Sequence, residues 1–240
     1  MSLTINQLLL SNSYPGRGII IGKTPDGTHA VSAYFIMGRS ENSRNRIFSE
    51  KSGEVTIYPH DVSKVKDPSL IIYSPVRKYK NHLIVTNGDQ TDTVFDFLTS
   101  GKTFEDALNT RTFEPDEPNF TPRISGIVNF SDGGFNYKLS ILKSGDGKGN
   151  GCNRFYFTYT PINGVGHFIH TYDKDGLPLP SFTGEPKEVE ITNDIDEFAA
   201  LIWNSLNGEN KISLFVRFDN LTDGTFACRT INKHLPEDIK

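Results

Sequence analysis

Short apolar runs separated by turn-forming residues fill most of this sequence, and they constrain its fold more than any other feature. The runs are rich in β-branched and aromatic residues and are interrupted by Gly, Asn, Asp and Pro, which is typical of strands joined by tight turns. Asp132, Gly133 and Gly134 supply the positive-φ positions of one predicted hairpin. Strands are predicted near residues 17–23, 28–38, 53–59, 69–74, 82–87, 123–130, 135–143, 154–161, 166–173, 187–192, 211–218 and 224–231.

Helical periodicity is confined to two regions. Asp89 can cap a helix that stops at Gly101, and the capping-box pattern of Thr103 and Asp106 opens a short helical turn after it. Asp194 opens the second helix. Because strands and helices do not alternate as βαβ units, we expect an α+β fold of mainly antiparallel sheets with helices outside. One domain over residues 1–240 is predicted.

Composition and charge exclude several functional classes. The mean hydropathy is −0.40, and no apolar run approaches the ~18 residues that indicate a membrane span. The N-terminal residues lack the pattern of a secretory signal, so a cytoplasmic protein is expected. With a net charge of −4 and no basic stripe, neither nucleic acid nor a membrane is an expected partner. The sequence leaves homo-oligomerisation open.

No metal or cofactor site is predicted. Cys152 and Cys228 form neither a CxxC pair nor a disulfide framework. His167 and His170 are three positions apart on a predicted strand, so their side chains would point to opposite faces. The chain also lacks the GxxxxGK[ST] pattern of a phosphate-binding loop. We therefore expect chemistry that uses side chains alone.

The stretch MGRSENSRNRIF places Arg39, Arg44 and Arg46 within eight positions of an acidic chain. It follows one predicted strand and precedes another, which indicates a loop at a sheet edge. Arginine suits phosphate because its planar guanidinium donates two parallel hydrogen bonds and stays charged. The alternative interpretation is a solvated loop that Glu41 partly neutralises.

Two further segments place polar residues at strand ends. In YPGRGIIIG, Arg17 lies at the mouth of a strand between Gly16 and Gly18, which allow close backbone approach; an ordinary turn would explain this pattern too. In NGDQTDT, Asn87 and Asp89 lie at a strand-to-helix junction where polar groups converge. Helix capping alone would explain Asp89.

A proline-rich acidic segment and a strand-end tyrosine are the candidates for proton transfer. FEPDEPNFTPRI contains Glu114 and Asp116 between prolines and ends with Arg123 at the head of a strand. Prolines that stiffen such a loop can position a carboxylate for acid–base work, although acidic surface loops are common. Tyr73 ends an apolar run in IIYSPVR, and packing is the alternative role for its ring.

Taken in order, these segments resemble the archaeal-type inosine monophosphate (IMP) cyclohydrolases. The resemblance runs through YPGRGIIIG, GRSENSRNR, DPSLIIYSPVR, VTNGDQTDT and EPDEPNFTPRISG and, more loosely, FIHTYDKDG, and it covers roughly residues 14–230. It implies a four-layer αββα sandwich of two antiparallel sheets, like that of the N-terminal-nucleophile hydrolases. It also implies dehydrative closure of 5-formamidoimidazole-4-carboxamide ribonucleotide to IMP, the last step of de novo purine synthesis, with a purine nucleotide as the small-molecule partner.

The resemblance also implies roles for the candidate residues. Glu114 would transfer the proton, and Tyr73 would donate to the formyl oxygen. Asn87 and Asp89 would orient the amide and the base. Binding the phosphate or polarising carbonyls would fall to the arginines, which are Arg17, Arg39, Arg46 and Arg123. No metal or organic cofactor would be required.

The chain departs from the family's pattern at its start. Residues 1–13 precede the usual start at Tyr14 and are interpreted as an N-terminal extension. An N-terminal nucleophile is not expected, since only Ser2 would be available after loss of Met1. Two alternative functions remain open, which are a linear amide or formamide hydrolase on the same fold and a non-catalytic protein that binds purine nucleotides.

Overall fold

The computed structural model describes residues 4–65 and 72–234. Its helices are α1 (Ile5–Ser11), α2 (Glu41–Arg44), α3 (Gln90–Thr99), α4 (Phe104–Asn109) and α5 (Ile195–Ser205). Its strands are β1 (Arg17–Lys23), β2 (His29–Met37), β3 (Ile47–Lys51), β4 (Glu54–Tyr58), β5 (Val76–Tyr79), β6 (His82–Thr86), β7 (Arg123–Ser131), β8 (Gly134–Ser144), β9 (Cys152–Tyr159), β10 (Val165–His170), β11 (Lys187–Glu190), β12 (Lys211–Asn220) and β13 (Phe226–Asn232). Among the described residues, no helix is both long enough and apolar enough to cross a membrane.

The strands form two antiparallel sheets. The six-stranded sheet has the order β11-β10-β1-β2-β12-β13, and the seven-stranded sheet has the order β3-β4-β5-β6-β7-β8-β9. In the first sheet, Ile19 of β1 lies between Tyr34 of β2 and Ile169 of β10. The chain crosses from β2, inside the six-stranded sheet, to β3 at the edge of the other sheet. The arginine-rich stretch is this crossing, so it connects the two sheets.

Three apolar clusters separate four layers. The central cluster lies between the sheets and contains Ile19 of β1 and Val85 of β6. A second cluster contains Ile5 of α1 and Phe198 of α5 on the outer face of the six-stranded sheet. A third contains Val94 of α3 and residues of α4 on the outer face of the seven-stranded sheet. Burial of these faces is the main stabilising term. The predicted αββα sandwich is confirmed, whereas the likeness to N-terminal-nucleophile hydrolases stays a prediction.

Local sequence signals account for most turns and caps. Gly133 adopts a φ of 68° in the turn between β7 and β8, which a residue without a Cβ accepts freely. Thr103 and Asp194 each accept a hydrogen bond from the backbone N–H three residues later, at 3.1 and 2.8 Å. Asp89 precedes α3 but makes no capping hydrogen bond, because its carboxylate binds two arginines instead. Asp89 is thus the N-cap residue of α3, as predicted, but its side chain does not cap the helix.

The sequence patterns missed five elements, which are α1, α2, β3, β5 and a 3₁₀ helix of three residues, Val62–Lys64. Helices α1 and α2 have only 7 and 4 residues, too few to show a period of 3.6. Strand β3 ends in three exposed residues and β5 has 4 residues, so neither shows a long apolar run. The predicted strand at 69–74 falls partly outside the described residues, and 72–74 are not in a strand. The other predicted strands are confirmed with small shifts at their ends.

Candidate active site

A cavity of about 700 Å³ lies where the two sheets present their loops to each other. It is bounded by the head of β1, the β2–β3 crossing, the β6–α3 junction and the loop before β7. Its volume falls within the ~300–1,000 Å³ of small-molecule sites. All of the predicted site residues line this cavity, and they are Arg17, Arg39, Arg46, Tyr73, Asn87, Asp89, Glu114 and Arg123.

Two arginines in the cavity wall have no counter-ion in the part of the chain that the structure describes. Within the described residues, neither Arg17 nor Arg46 makes an ion pair or a side-chain hydrogen bond, and Nε of Arg46 is buried without a partner. Burial, followed by the nearby charge of Arg17, lowers the pKa of the Arg46 guanidinium. Two neighbouring cations without an anion repel each other. This part of the cavity is therefore suited to a bound anion such as phosphate.

The other two arginines of the β2–β3 crossing are already engaged. Arg39 forms an ion pair with Asp175, donates to the Gly176 carbonyl at 3.1 Å, and lies 4.8 Å over the ring of Tyr14. Arg44 does not line the cavity and donates to the Gly38 carbonyl at 3.2 Å. Of the three arginines in this stretch, Arg46 is the one left without a partner in the described chain. The sequence alone did not distinguish them.

Arg123 pairs with two carboxylates, so its guanidinium is not open to bind another anion. Its Nη1 donates to Asp89 Oδ1 and to Gln90 Oε1, each at 2.6 Å. Nη1 also lies 2.9 Å from Glu114 Oε1, while Nη2 donates to Glu114 Oε2 at 3.1 Å. Asp89 has a second partner in Arg111, whose Nη2 is 2.5 Å from Oδ2. Arg123 therefore fixes Glu114 and Asp89 at the cavity wall.

The two carboxylates experience different environments. Burial raises the pKa of Glu114, with Asp89 and Asp116 acting in the same direction and Arg123 against it. Partial burial alone would raise the pKa of Asp89, but hydrogen bonds and charges from Arg111 and Arg123 lower it overall. Neighbouring groups whose pKa values are shifted apart are typical of acid–base sites. Glu114 is the one suited to exchange a proton.

Tyr73 and Asn87 are joined through the backbone. The Tyr73 hydroxyl donates to the Asn87 carbonyl at 2.8 Å and lies 3.3 Å from the hydroxyl of Tyr34. The Asn87 side chain donates to the Pro122 carbonyl at 2.9 Å and accepts from the Ile124 N–H at 2.9 Å. Asn87 therefore ties the β6–α3 junction to the start of β7, while Tyr73 faces the cavity.

Comparison with known families places this chain. Residues 14–224 match the sequence model of a family described as IMP cyclohydrolase-like protein. The chain belongs to the IMP cyclohydrolase-like family. The match covers every strand except β13 and every residue that lines the cavity, so the expected resemblance is confirmed.

Several curated relatives of this family member come from archaea. An IMP cyclohydrolase of Methanopyrus kandleri is 36% identical over 119 residues, which are 48% of this chain and 58% of the relative. One from Methanococcus aeolicus is 32% identical over 120 residues, with the same coverage of 48% and 58%. One from Methanosphaera stadtmanae is 33% identical over 129 residues, 51% of this chain and 61% of the relative. The aligned part thus spans less than two thirds of each relative.

Sequence reasoning missed several residues of the cavity wall in this IMP cyclohydrolase-like protein. The rings of Tyr14 and Tyr172 stack with centroids 5.9 Å apart, and Tyr172 bonds to Thr121. Tyr172 lies in the loosely matching FIHTYDKDG segment, which was the available signal. Ser40, Asn42, Ser43, Pro115, Asn119 and Leu179 also line the cavity.

The described residues include no group of three or more His, Cys, Asp and Glu side chains placed to hold a metal ion. Two of the cavity's three carboxylates, Asp89 and Glu114, are paired with Arg123, and the third, Asp116, accepts from the Thr121 N–H at 2.6 Å. The Arg123 guanidinium already supplies positive charge to Asp89 and Glu114. The donor set is therefore poorly suited to a metal.

Gly88→Ala should lower the free energy of unfolding by roughly 1–3 kcal/mol, as overpacking does. A Cβ at this position would lie 2.6 Å from Gln90 Oε1, 2.7 Å from Arg123 Nη1 and 3.0 Å from Glu114 Oε1. Denaturant unfolding measures the change. Gly208→Ala is the matched control, because its Cβ would meet nothing within 4 Å. Equal unfolding free energies for the two variants would contradict the close packing around Arg123.

Proposed function

We propose that this protein is an IMP cyclohydrolase that closes 5-formamidoimidazole-4-carboxamide ribonucleotide to IMP with loss of water. The observation that carries the proposal is found in one cavity of an IMP cyclohydrolase-like chain. This cavity holds two arginines that have no counter-ion among the described residues, together with a carboxyl group of raised pKa. Its relatives from archaea carry the name IMP cyclohydrolase. The proposed setting is de novo purine synthesis in the cytoplasm, with a purine nucleotide as the small-molecule partner.

Ring closure requires the site to orient the substrate, accept a proton and stabilise charge. The carboxamide nitrogen attacks the formyl carbon, loses one proton, and leaves the former formyl oxygen as a hydroxyl group. That hydroxyl then departs as water while the formamide nitrogen loses its proton and a C=N bond forms. Because an amide nitrogen is a poor nucleophile, the site must hold it in attack geometry, accept its proton and stabilise the charge on oxygen.

Arg17 and Arg46 are the proposed anion-binding residues. They line the cavity, and neither has a counter-ion among the described residues. A phosphate between them would remove their mutual repulsion and satisfy the buried Nε of Arg46. Arg39 is a secondary contact, since Asp175 already neutralises its charge. Arg123 is proposed to position Glu114 and Asp89 rather than to bind phosphate.

Glu114 is the proposed proton-transfer residue. Its raised pKa brings the carboxyl closer to neutral pH, where a general base works best. Tyr73 is proposed to donate to the formyl oxygen. Its proton points to the Asn87 carbonyl, so donation to substrate requires only rotation about the phenolic C–O bond. Asp89 keeps Arg123 in place and through it the orientation of Glu114.

Product analysis separates this proposal from its two rivals. Purified protein mixed with the formamido ribonucleotide should yield IMP and water. An amide or formamide hydrolase would release formate or an amine, and it would need an activated nucleophile. A protein that only binds nucleotides would leave the ultraviolet spectrum of the substrate unchanged. Either outcome would overturn the proposed function.

Ring closure should keep its full rate after treatment with a chelator. We expect this because anion binding is assigned to Arg17 and Arg46, and proton transfer is assigned to Glu114. The rate is measured by ultraviolet absorbance before and after exhaustive chelation. Activity that disappeared and returned with a divalent ion would show that a metal takes part.

A further inference from the structure

Tyr172 connects the anion-binding and proton-transfer sides of the cavity. It follows β10, is 2% exposed, and lines the cavity. Its hydroxyl lies 2.5 Å from Thr121 Oγ1. Its backbone N–H donates to the Pro15 carbonyl at 3.2 Å, two residues before Arg17. One buried side chain thus bridges the six-stranded sheet and the loop that contains Glu114.

Thr121 carries this contact to Glu114. The backbone N–H of Glu114 donates to the Thr121 carbonyl at 2.9 Å. Thr121 is also held by Asp116, which accepts from the Thr121 N–H at 2.6 Å and from the Thr121 hydroxyl at 2.5 Å. The loop from Glu114 to Thr121 is therefore closed on itself. Two contacts attach it to the chain after β10, which are the Tyr172 hydroxyl with Thr121 and the Leu179 N–H, which donates to Asn119 Oδ1 at 3.0 Å.

The direction of the hydrogen bonds follows from the acceptors. The Asp116 side chain accepts from Thr121, so the Thr121 hydroxyl donates to it and Tyr172 donates to the Thr121 oxygen. Burial raises the pKa of Tyr172 to about 12, so its hydroxyl stays protonated near neutral pH. Tyr172 thus donates to Thr121, and Thr121 donates to Asp116. These hydrogen bonds hold Thr121 in place.

We propose that Tyr172 is a positioning residue whose hydroxyl, acting through Thr121, sets where Glu114 stands relative to substrate held by Arg17 and Arg46. The inference rests on the proposed ring closure. A carboxylate displaced by about 1 Å can cost roughly 100-fold in rate, so loss of this support should affect catalysis more than binding. Tyr172 itself exchanges no proton with substrate in this account.

The test compares Tyr172→Phe with Tyr137→Phe. Tyr137 is also buried, 1% exposed, and its hydroxyl lies 2.6 Å from His167 Nδ1, outside the cavity. Tyr172→Phe should lower kcat by roughly 10- to 100-fold with KM nearly unchanged, and should move the acidic limb of the kcat/KM profile. Tyr137→Phe should do neither. Thr121→Ser, which keeps the hydroxyl, should retain activity, whereas Thr121→Val should behave like Tyr172→Phe.

A second background isolates the route through Glu114. In Glu114→Gln protein, adding Tyr172→Phe should cause little further loss of kcat, because residues that act as a unit are not additive. An equal loss in both backgrounds, or an unchanged kcat in Tyr172→Phe, would overturn the inference alone. A wild-type protein that closes no ring would overturn the proposed function and this inference with it.

Discussion

Glu114→Gln should reduce single-turnover ring closure by roughly 10²–10⁴-fold, the usual range for general acid–base catalysis. The substitution preserves size and one of the two contacts with Arg123, but it removes the group that accepts the amide proton. Nucleotide affinity should change little, because Glu114 is assigned to proton transfer rather than to the phosphate. Stopped-flow absorbance gives the closure rate, and an independent titration gives the affinity.

Glu117→Gln is the matched control for this variant. Glu117 belongs to the same proline-rich loop but is exposed and does not line the cavity. It should close the ring at the wild-type rate, and melting curves should exclude unfolding for both variants. Near-normal closure by Glu114→Gln would remove Glu114 from the mechanism and direct attention to Asp89 or Asp116. Loss of binding alone would leave it as a residue that orients substrate.

The same assignment predicts the pH dependence. As a base, Glu114 must be ionised in the free enzyme, so kcat/KM should fall as pH drops through its pKa. Burial raises that pKa above the ordinary value of 4.5, and the acidic limb should therefore lie above 4.5. The limb should vanish from the residual activity of Glu114→Gln. A limb that persisted there would belong to another group.

Arg46→Ala should weaken nucleotide binding by about 1.5–3 kcal/mol, the usual cost of losing a charged hydrogen bond, or roughly 10- to 150-fold in Kd. Arg17→Ala should have a comparable effect, since both guanidiniums lack a counter-ion within the described chain. The corresponding nucleoside, which has no phosphate, should be nearly indifferent. Isothermal titration with both ligands measures the difference.

Arg44→Ala is the control for charge removal in the same stretch, because Arg44 does not line the cavity. Its nucleotide affinity should match that of the wild type. Melting temperatures should not fall in Arg46→Ala, since removing one of two neighbouring unpaired cations relieves repulsion. Equal losses for nucleotide and nucleoside would show that Arg46 acts through folding instead of through the phosphate.

Local patterns were sufficient for most of the fold. Apolar runs located the strands of both sheets. A strand buried on one face shows alternating apolar residues, and a strand buried on both faces shows a continuous apolar run. The αββα order followed from the resemblance to the IMP cyclohydrolases and from the lack of βαβ alternation. Elements such as α1, with 7 residues, were missed because their formation depends on packing against α5 rather than on local periodicity.

The sequence predicted which residues form the site, but not which of them pair with one another by ion pairs and hydrogen bonds. Every residue to which the sequence analysis gave a role lies in one cavity, because strand ends and junction loops gather polar groups. The sequence could not tell that Arg39 pairs with Asp175, 136 positions away, or that Arg123 holds both Asp89 and Glu114. Such pairings depend on tertiary contacts, and they decide which arginine is left for an anion.

The most direct measurement is single-turnover conversion of the formamido ribonucleotide by excess wild-type protein. Absorbance should follow one exponential phase, and mass spectrometry of the quenched mixture should identify IMP, formed with loss of one water and no formate. Under the same conditions Glu114→Gln should form the same product far more slowly. Substrate recovered unchanged from the wild-type reaction, or formate released from it, would contradict the assignment of this protein as an IMP cyclohydrolase.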